Sequence, residues 1–355
     1  MKKLKIRSKE LVKIEPSVIH LEQRIKDYVI YGRENIEQEA LDQMEAAMRL
    51  PITVKGALMA DAHSGYGLPI GGVLATRNAV IPFGVGMDIG CRMCLSVYHI
   101  NPSVIIEKRG NLKDILLENT RFGKNDYFHE KKEHEIMDRR EFSQFKYLKS
   151  LKDKVYEQLG TSGSGNHFVE FGIIELPENN DFKVDGGKYL AVLSHSGSRN
   201  FGANIAQHYT RLAKLNCRLP KGAINLAWLD LDSEEGYEYW NAMNLAGDYA
   251  RANHQIIHKK ISAALGESPV FKIENHHNFA WKEKLDDGSE VIVHRKGATP
   301  ALKNIYGIIP GSMTLPGFVV KGKGNPLSIR SASHGAGRQI SRSKAKQQFS
   351  EKMLR

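Results

Sequence analysis

The stretch YLAVLSHSGSRNFG (residues 189–202) joins an apolar run, a glycine- and serine-rich turn and the start of a segment with helical spacing. The run YLAVLS is typical of a buried strand, and residues 201–215 predict a helix directly after the turn. A strand–loop–helix unit presents free N–H groups and the positive end of the helix dipole to an anion. The turn contains His195 and ends in Arg199, whose guanidinium can hold phosphate. It therefore predicts an anion site beside a potential metal ligand.

The rest of the chain mixes predicted strands and helices, with no repeat and no linker. Residues 35–50 have the spacing of an amphipathic helix, with Asn35 as N-cap and Pro51 at its end. Apolar runs predict strands over residues 52–60, 71–84, 92–100, 167–176, 306–313 and 318–324, and helices are predicted over 237–265 and 338–355. Asp286–Gly288 predicts a hairpin turn. The charged segment 101–159 predicts a helical insertion on the surface. We therefore expect one α+β domain over residues 1–355.

The composition favours a cytoplasmic protein with a polyanionic partner. The 355 residues include 51 Lys and Arg against 40 Asp and Glu, a net charge of +11. This excess favours association with polyanions such as nucleic acid, although a basic protein without such a partner is the alternative. Three cysteines give no disulfide framework and indicate a reducing compartment. The basic N-terminus has no apolar run after it, so no signal peptide is predicted, and no stretch is long enough to span a membrane.

Four further short segments carry ligand-grade side chains among small residues. In GVGMDIGC, Asp88 and Cys91 can bring a carboxylate and a thiolate to one ion; a structural cysteine beside a turn aspartate is the alternative. Together with imidazoles, this donor set suits Mn, Fe, Co or Zn. His167 follows GSGN, and His277 lies in HHNF after a predicted strand. For each histidine, a hydrogen-bonded core or loop residue is the alternative. One of His276 and His277 is expected to face inward and the other the surface.

The last segment, SASHGAGR, contains His334. Its two glycines disfavour a helix and free the backbone to wrap a phosphate or a ribose, while Arg338 can neutralise charge. His334 can therefore be a metal ligand, a base or a nucleophile that attacks phosphorus. A loop histidine that caps a turn is the alternative. Cys94 and Cys217 are expected to pack as small hydrophobic residues.

In order, the segments ADAHSGYGLPIGG, GVGMDIGC, GTSGSGNHFVE, SHSGSRNFG, HHNFA, VHRKGAT, PGSM and SASHGAGR resemble the RtcB family of RNA ligases. The resemblance covers roughly residues 55–342. It implies one large domain, in which mixed sheets flanked by helices surround a central active-site cleft. It also implies a GTP-dependent ligase with two Mn²⁺ ions that joins an RNA 3′-phosphate or 2′,3′-cyclic phosphate end to a 5′-hydroxyl end, in tRNA splicing or RNA repair. An archease-like activator is a further implied partner.

The resemblance assigns roles to individual residues. It implies that Cys91 bridges the two ions and that His334 is the residue that becomes guanylylated. The implied metal ligands are Asp88, Cys91, His167, His195 and His277. The implied guanylate contacts are Asn166, His167, Glu170, His277, Asn278, Pro310, Gly311, Ser312, Met313, His334, Gly335, Ala336 and Gly337. Contacts to phosphate or RNA are expected from Arg199, Arg338, Asp61 and His63.

The chain departs from the family pattern at three points. Gly317 stands where a serine is common, Arg92 stands where a glycine usually follows the cysteine, and the sequence stops at Arg355 before the family's C-terminal guanine-contacting lysine. These departures leave the implied metal ligands and nucleophile in place. Arg92 suggests a divergent branch; for the missing lysine, either a shorter subfamily holds guanine differently or the C-terminal part is absent from this sequence. Two other functions stay open at this point. One is a metal-dependent phosphoesterase or cyclic phosphodiesterase acting on RNA ends, and the other is a non-catalytic RNA-binding protein.

Overall fold

The computed structural model describes residues 18–123, 126–130, 132–311 and 315–335. Within them, the strands are β1 Tyr28–Ile30, β2 Thr53–His63, β3 Ile70–Thr76, β4 Ala79–Val80, β5 Arg92–Tyr98, β6 Phe168–Leu176, β7 Gly187–Ser196, β8 Leu229–Asp230, β9 Phe271–His276, β10 Asn278–Lys284, β11 Glu290–Lys296, β12 Ala298–Pro300, β13 Tyr306–Ile309, β14 Phe318–Lys321 and β15 Ser331–Ser333. The α-helices are α1 Gln38–Met48, α2 Pro82–Val85, α3 Val104–Glu107, α4 Arg109–Asn119, α5 Glu141–Gln144, α6 Lys146–Glu157, α7 Arg199–Asn216 and α8 Glu234–Leu265. Short 3₁₀ helices lie at Arg33–Asn35, Glu135–Asp138, Lys221–Leu226 and Pro326–Ser328.

Two larger sheets organise the fold. The first has five strands in the order β1-β2-β3-β11-β10, in which β1 and β2 are parallel and the other neighbours are antiparallel. The second has four antiparallel strands in the order β6-β7-β5-β9. The described residues also form three two-stranded sheets. The α+β class and the mixed sheet predicted from the sequence are confirmed.

The helices cover the sheets with their apolar faces. Helix α1 buries Ala40, Leu41, Met44, Ala47 and Met48 in a cluster with strands β2 and β3. Helices α7 and α8 supply much of the largest cluster, which includes Phe201, Tyr209 and Tyr249. The predicted helices over 201–215 and 237–265 are confirmed with slightly earlier starts, and the hairpin at Asp286–Gly288 joins β10 to β11. None of the helices in the described part of the chain has the length and apolarity needed to cross a membrane.

Two local predictions were wrong. Helix α1 begins at Gln38 after Glu37, because Asn35 already belongs to a 3₁₀ turn. The segment 101–159 is largely helical, but its second half does not lie only on the surface. Its apolar side chains join the largest core cluster through Ile136, Met137, Phe142, Phe145, Leu148, Val155 and Leu159. The predicted helix over 338–355 lies outside the described residues, and one domain over residues 1–355 stays a prediction.

Arg295 ties the five-stranded sheet to the segment that precedes His334. Its guanidinium is fully buried and pairs with Glu283 through Nη1 and Oε1 at 2.5 Å. It also donates to the carbonyl of Ile329 at 3.0 Å and to Ser331 Oγ at 2.7 Å. Ile329 and Arg330 both have positive φ (50° and 49°), a conformation that costs roughly 1–2 kcal/mol per non-glycine residue. The buried arginine therefore holds a strained turn in place.

We expect Arg295→Met to lower the free energy of unfolding by about 3–5 kcal/mol, because it leaves Glu283 and two further acceptors without their buried donor. Urea unfolding followed by circular dichroism measures the change. Lys284→Met is the matched control, since it removes an exposed 3.2 Å pair with Glu290 and should cost less than about 1 kcal/mol. Equal losses in the two variants would contradict this account.

Candidate active site

The candidate ligands meet at one edge of the four-stranded sheet. Strand β5 runs antiparallel to β7 and β9, and β6 runs antiparallel to β7. The starts of β5 and β6 and the ends of β7 and β9 therefore lie at the same edge. The Asp88–Cys91 turn precedes β5, His167 precedes β6, His195 lies near the end of β7, and His277 follows β9. Residues almost 190 positions apart in the chain, Asp88 and His277, are thus brought together by strand pairing.

Cys91 belongs to two groups of potential ligand atoms. In the first, its Sγ lies 3.1 Å from His195 Nε2, which lies 3.2 Å from His277 Nε2. In the second, Sγ lies 3.7 Å from His167 Nε2, which lies 2.8 Å from Asp88 Oδ2. Cys91, His195 and His277 are buried, and Asp88 and His167 are partly exposed. One sulfur atom is therefore placed between two sets of donors.

Backbone carbonyls set the tautomers of two of these imidazoles. His195 Nδ1–H donates to the carbonyl of Asn166 at 2.9 Å, and His167 Nδ1–H donates to the carbonyl of Ser162 at 3.2 Å. A neutral ring therefore carries its lone pair on Nε2, facing the Cys91 sulfur or the Asp88 carboxylate; without a cation, a proton between His167 Nε2 and Asp88 Oδ2 makes their 2.8 Å hydrogen bond. Lone pairs at these distances repel unless a proton or a metal cation lies between them. A hydrogen bond from the far ring nitrogen is also how metal-bound histidines are usually held.

Burial keeps the inner histidines neutral. It lowers the pKa of His195 to about 4 and that of His277 well below its usual range, and neighbouring histidines add to both shifts. Burial raises the pKa of Asp88, but the charge and hydrogen bond of His167 outweigh it and leave a lowered value. Burial, together with Asp88, raises the pKa of the Cys91 thiol well above its usual range. At pH 7 the imidazoles of His195 and His277 are in their metal-binding form, and a cation that binds here must displace the thiol proton.

The donor set fits one or more divalent metal ions. Thiolate, imidazole and carboxylate together suit Mn, Fe, Co or Zn. The donor atoms of each group lie within 4.8 Å of one another, a spacing that a single ion can close. The structure thus brings together the five residues that the family resemblance implies as metal ligands, and their role as ligands stays a prediction.

His334 lies next to this cluster, on the side of the five-stranded sheet. It follows β15 and is 8% exposed, and its ring centroid is 5.3 Å from that of His277. Its Nδ1–H donates to Asp61 Oδ2 at 2.8 Å, and the N–H of Gly335 donates to the same oxygen at 2.9 Å. Burial raises the pKa of Asp61, but these donors outweigh it and lower the net value. Asp61 thus stays ionised and leaves the other ring nitrogen of His334 available.

Gly335 permits this arrangement. Its φ is 78°, and a Cβ at this position would lie 2.2 Å from Ile309 Cγ2 and 2.8 Å from the carbonyl oxygen of Pro310. A side chain would therefore push the backbone away from Asp61.

Other predicted contact residues have structural partners. Asn278 donates to the carbonyl of Asp88 at 3.3 Å and accepts from the N–H of Gly297 at 2.7 Å, so it tethers the Asp88 turn. Arg199 donates to Thr161 Oγ1 and to the carbonyl of Gly123, both at 3.1 Å. His63 Nδ1 lies 3.1 Å from the carbonyl oxygen of Asp61. Glu170, Asn166 and Gly311 are exposed and Pro310 is buried, whereas Ser312, Met313, Ala336, Gly337 and Arg338 lie outside the described residues.

Arg92 contacts His276, the first histidine of the HHNF segment. Its buried guanidinium lies 2.9 Å from His276 Nδ1 and 3.4 Å from Glu274 Oε2. His276 also stacks on Phe279 and is half-buried, so the prediction that it lies at the surface was wrong; the inward placement of His277 is confirmed. Arg92 links β5 to β9 at the edge that carries the ligands.

Sequence reasoning missed two features. It named Asp61 only as a phosphate or RNA contact, whereas the structure makes it the partner of His334. It also missed a polar chain behind β7, where Ser194 Oγ lies 2.6 Å from His254 Nδ1 and 2.7 Å from His258 Nε2, with Cys94 nearby. The spacing of His254 and His258, which places both on one helix face, could have revealed it. Because serine hydroxyls and the carbonyl of Ser196 partner these nitrogens, we interpret the chain as a hydrogen-bonded support.

Comparison with known proteins gives a consistent result. A family model described as tRNA-splicing ligase RtcB matches residues 43–146 and 112–355. The chain is 31% identical to the RNA-splicing ligase RtcB of Escherichia coli (strain K12), over 89% of this chain and 81% of that protein. It is 30% identical to the tRNA-splicing ligase RtcB of Nanoarchaeum equitans, over 88% of this chain and 79% of that protein. It is 32% identical to an RNA-splicing ligase RtcB homolog of Entamoeba dispar, over 85% of this chain and 70% of that protein.

We expect Cys91→Ala to abolish high-affinity binding of Co²⁺ or Mn²⁺ at both donor groups, because one sulfur serves both. Titration with Co²⁺ reports thiolate ligation through a sulfur-to-cobalt charge-transfer absorption, and elemental analysis of Mn-loaded protein gives the stoichiometry. Cys217→Ala is the control, since Cys217 is buried away from the ligands. Retention of full metal content by Cys91→Ala with the fold intact would disprove the shared ligand.

Proposed function

This chain belongs to the RtcB family of RNA ligases, and we propose that it joins RNA ends through a GMP adduct on His334. The family membership supports an RNA ligase. The placement of His334 between Asp61 and the buried Cys91–His195–His277 group supports this particular route. That placement is the observation on which the proposal depends, since a nucleophilic imidazole needs both an orienting carboxylate and nearby positive charge.

In the first step, His334 Nε2 attacks the α-phosphorus of GTP. A nitrogen–phosphorus bond forms, the bond from the α-phosphorus to the bridging oxygen breaks, and pyrophosphate leaves. Asp61 holds the proton on Nδ1, so that Nε2 presents its lone pair, and its charge stabilises the imidazolium that develops. The N–H of Gly335 keeps the same carboxylate oxygen in position.

In the second step, an oxygen of the RNA 3′-phosphate attacks the GMP phosphorus and His334 leaves. The 3′ end then carries a phosphoanhydride that joins the RNA 3′-phosphate to GMP, and its RNA phosphorus is a better electrophile than that of a phosphate monoester. In the last step, the 5′-hydroxyl of the other RNA strand attacks the RNA phosphorus and GMP leaves. A 2′,3′-cyclic phosphate enters this sequence after water opens it to the 3′-phosphate.

Asp88, Cys91, His167, His195 and His277 are the residues we propose as ligands of two Mn²⁺ ions. The ions supply positive charge that polarises the phosphoryl oxygens and lowers the pKa of an attacking hydroxyl. The protein's own contribution is the neutral state of the inner imidazoles and the fixed tautomers of His167 and His195. Arg92 on β5 contacts His276 on β9, and Asn278 donates to the carbonyl of Asp88. These two contacts keep the donors in position.

The finer parts of the proposal concern specificity and partners. We propose that the exposed carboxylate of Glu170 accepts hydrogen bonds from the guanine edge and that Asn166, also exposed, contacts the guanylate. The RNA substrates carry 3′-phosphate or 2′,3′-cyclic phosphate and 5′-hydroxyl ends, and an archease-like activator assists turnover. Three free cysteines support work in a reducing cytoplasm.

Incubation with GTP radiolabelled at the α-phosphate tests the proposal directly. We expect a Mn²⁺-dependent, acid-labile label on the denatured wild-type protein and none on His334→Ala, because phosphoramidates of histidine hydrolyse in acid. His99→Ala is the control for loss of an imidazole, since His99 is exposed and has no proposed role in the site. Metal-loaded, folded protein that opens cyclic phosphates but takes up no label would identify a phosphoesterase instead.

We expect Asp61→Asn to slow formation of the adduct by roughly 10²–10⁴-fold, because an amide no longer stabilises the imidazolium and can stabilise the wrong tautomer. Single-turnover labelling measures this rate. Metal content should not change, since Asp61 contacts His334 and not the donor groups. A loss of metal together with the label would show instead that Asp61 supports the cluster.

A further inference from the structure

Three cationic side chains gather around one aromatic ring beside the active site. The guanidinium carbon of Arg121 lies 4.5 Å from the ring centroid of Phe128, Lys132 Nζ lies 4.7 Å from it, and Lys260 Nζ lies 4.0 Å from it. Cation–π contact makes each approach favourable, but it does not neutralise three positive charges. We call these four residues the Phe128 cluster.

The cluster has little acidic compensation. Among the residues that the structure describes, Lys132 and Lys260 form no ion pair, and Arg121 has only a 3.9 Å contact with the exposed Asp126. Desolvation lowers the pKa of Lys260 to about 8, and the charge of Lys132 adds to the shift, which Glu130 offsets only in part. Like charges held this close favour an anionic ligand.

The cluster is attached to the loop that carries His167. The N–H of Ser162 donates to the carbonyl of Arg121 at 2.9 Å, and the N–H of Gly123 donates to the carbonyl of Gly163 at 2.7 Å. The carbonyl of Ser162 in turn accepts from His167 Nδ1–H. Lys132 packs near the same loop, since a Cβ on Gly160 would lie 3.8 Å from its Cγ. The cluster therefore lies on the His167 side of the ligands, whereas His334 lies on the His277 side.

We propose that the Phe128 cluster binds backbone phosphates of the single-stranded RNA whose 3′ end reacts at the metal-ligand group. The proposal depends on the proposed function for the identity of the strand. Mobile lysine ammonium groups suit the phosphates of a flexible strand, which need charge but no fixed geometry. The separation from His334 distinguishes this site from the one that holds the triphosphate of GTP.

The test combines Lys132→Gln and Lys260→Gln, which keep a polar side chain of similar size while they remove both charges. Fluorescence anisotropy with a labelled single-stranded RNA that ends in a 3′-phosphate gives affinity over a range of salt. If each lysine neutralises one phosphate, the slope of log affinity against log salt should decrease in magnitude by about 1.4. Adduct formation from GTP without RNA should keep its wild-type rate and GTP dependence.

Lys282→Gln is the matched control. Lys282 Nζ lies 5.3 Å from the ring of Trp240, which is on the same helix α8 as Lys260 but twenty residues earlier, or about 30 Å along the axis. An unchanged slope in the double variant, or a slope that Lys282→Gln reduces equally, would overturn the proposal. So would a lysine-dependent loss of GTP labelling, which would assign the cluster to the nucleotide. The binding assay does not depend on ligation. If the wild-type protein binds RNA through these lysines but takes up no label from GTP, the proposed function is refuted and this inference is not.

Discussion

Two hydrogen bonds from imidazole Nδ1 to backbone carbonyls determine what the active site can hold. The carbonyls of Ser162 and Asn166 accept from His167 and His195, so both Nε2 lone pairs point toward the cysteine and the carboxylate. If either ring turned over, its N–H would face the cluster and a cation could not bind there. The loop from Ser162 to Asn166 is itself held by Ser196 Oγ and by the backbone of residues 121–123. The loop itself supplies no candidate metal ligand, and His167 directly follows it. Its carbonyl groups nevertheless fix which nitrogen of His167 and His195 faces the site.

The candidate site also depends on the junction between the four-stranded and the five-stranded sheet. Strand β9 belongs to the four-stranded sheet and β10 to the five-stranded sheet, and His277 is the single residue between them. The candidate metal ligands therefore lie at the strand ends of the four-stranded sheet. Asp61 on β2 and His334 after β15 lie on the other side of the junction. The buried pair of Arg295 and Glu283, which holds the strained turn at Ile329, fixes that side. The proposed nucleophile and the proposed ligands are neighbours because the chain changes sheets at His277.

The sequence predicted those parts that depend on local pattern. Apolar runs predicted most of the longer strands, and the turn at Asp286–Gly288 predicted the hairpin. The family resemblance implied the set of Asp88, Cys91 and three histidines that the structure brings together. The partnership of Asp61 with His334 was missed because the two residues are 273 positions apart and only tertiary packing joins them. Asn35 failed as a cap because the preceding residues form a 3₁₀ turn. The identity of the metal and the nucleotide stays a prediction, since donor chemistry alone admits several ions.

The order of these residues along the chain also orders their appearance during synthesis. All five proposed ligands have been made once residue 277 is added, whereas His334 comes 57 residues later. At 5–20 residues per second, translation needs roughly 3–11 s to cover that interval. Strands β10 and β11 are made in the same interval and complete the five-stranded sheet, and β15 is made just before His334. A ribosome-bound chain therefore holds every proposed donor atom for metal before it possesses the proposed nucleophile.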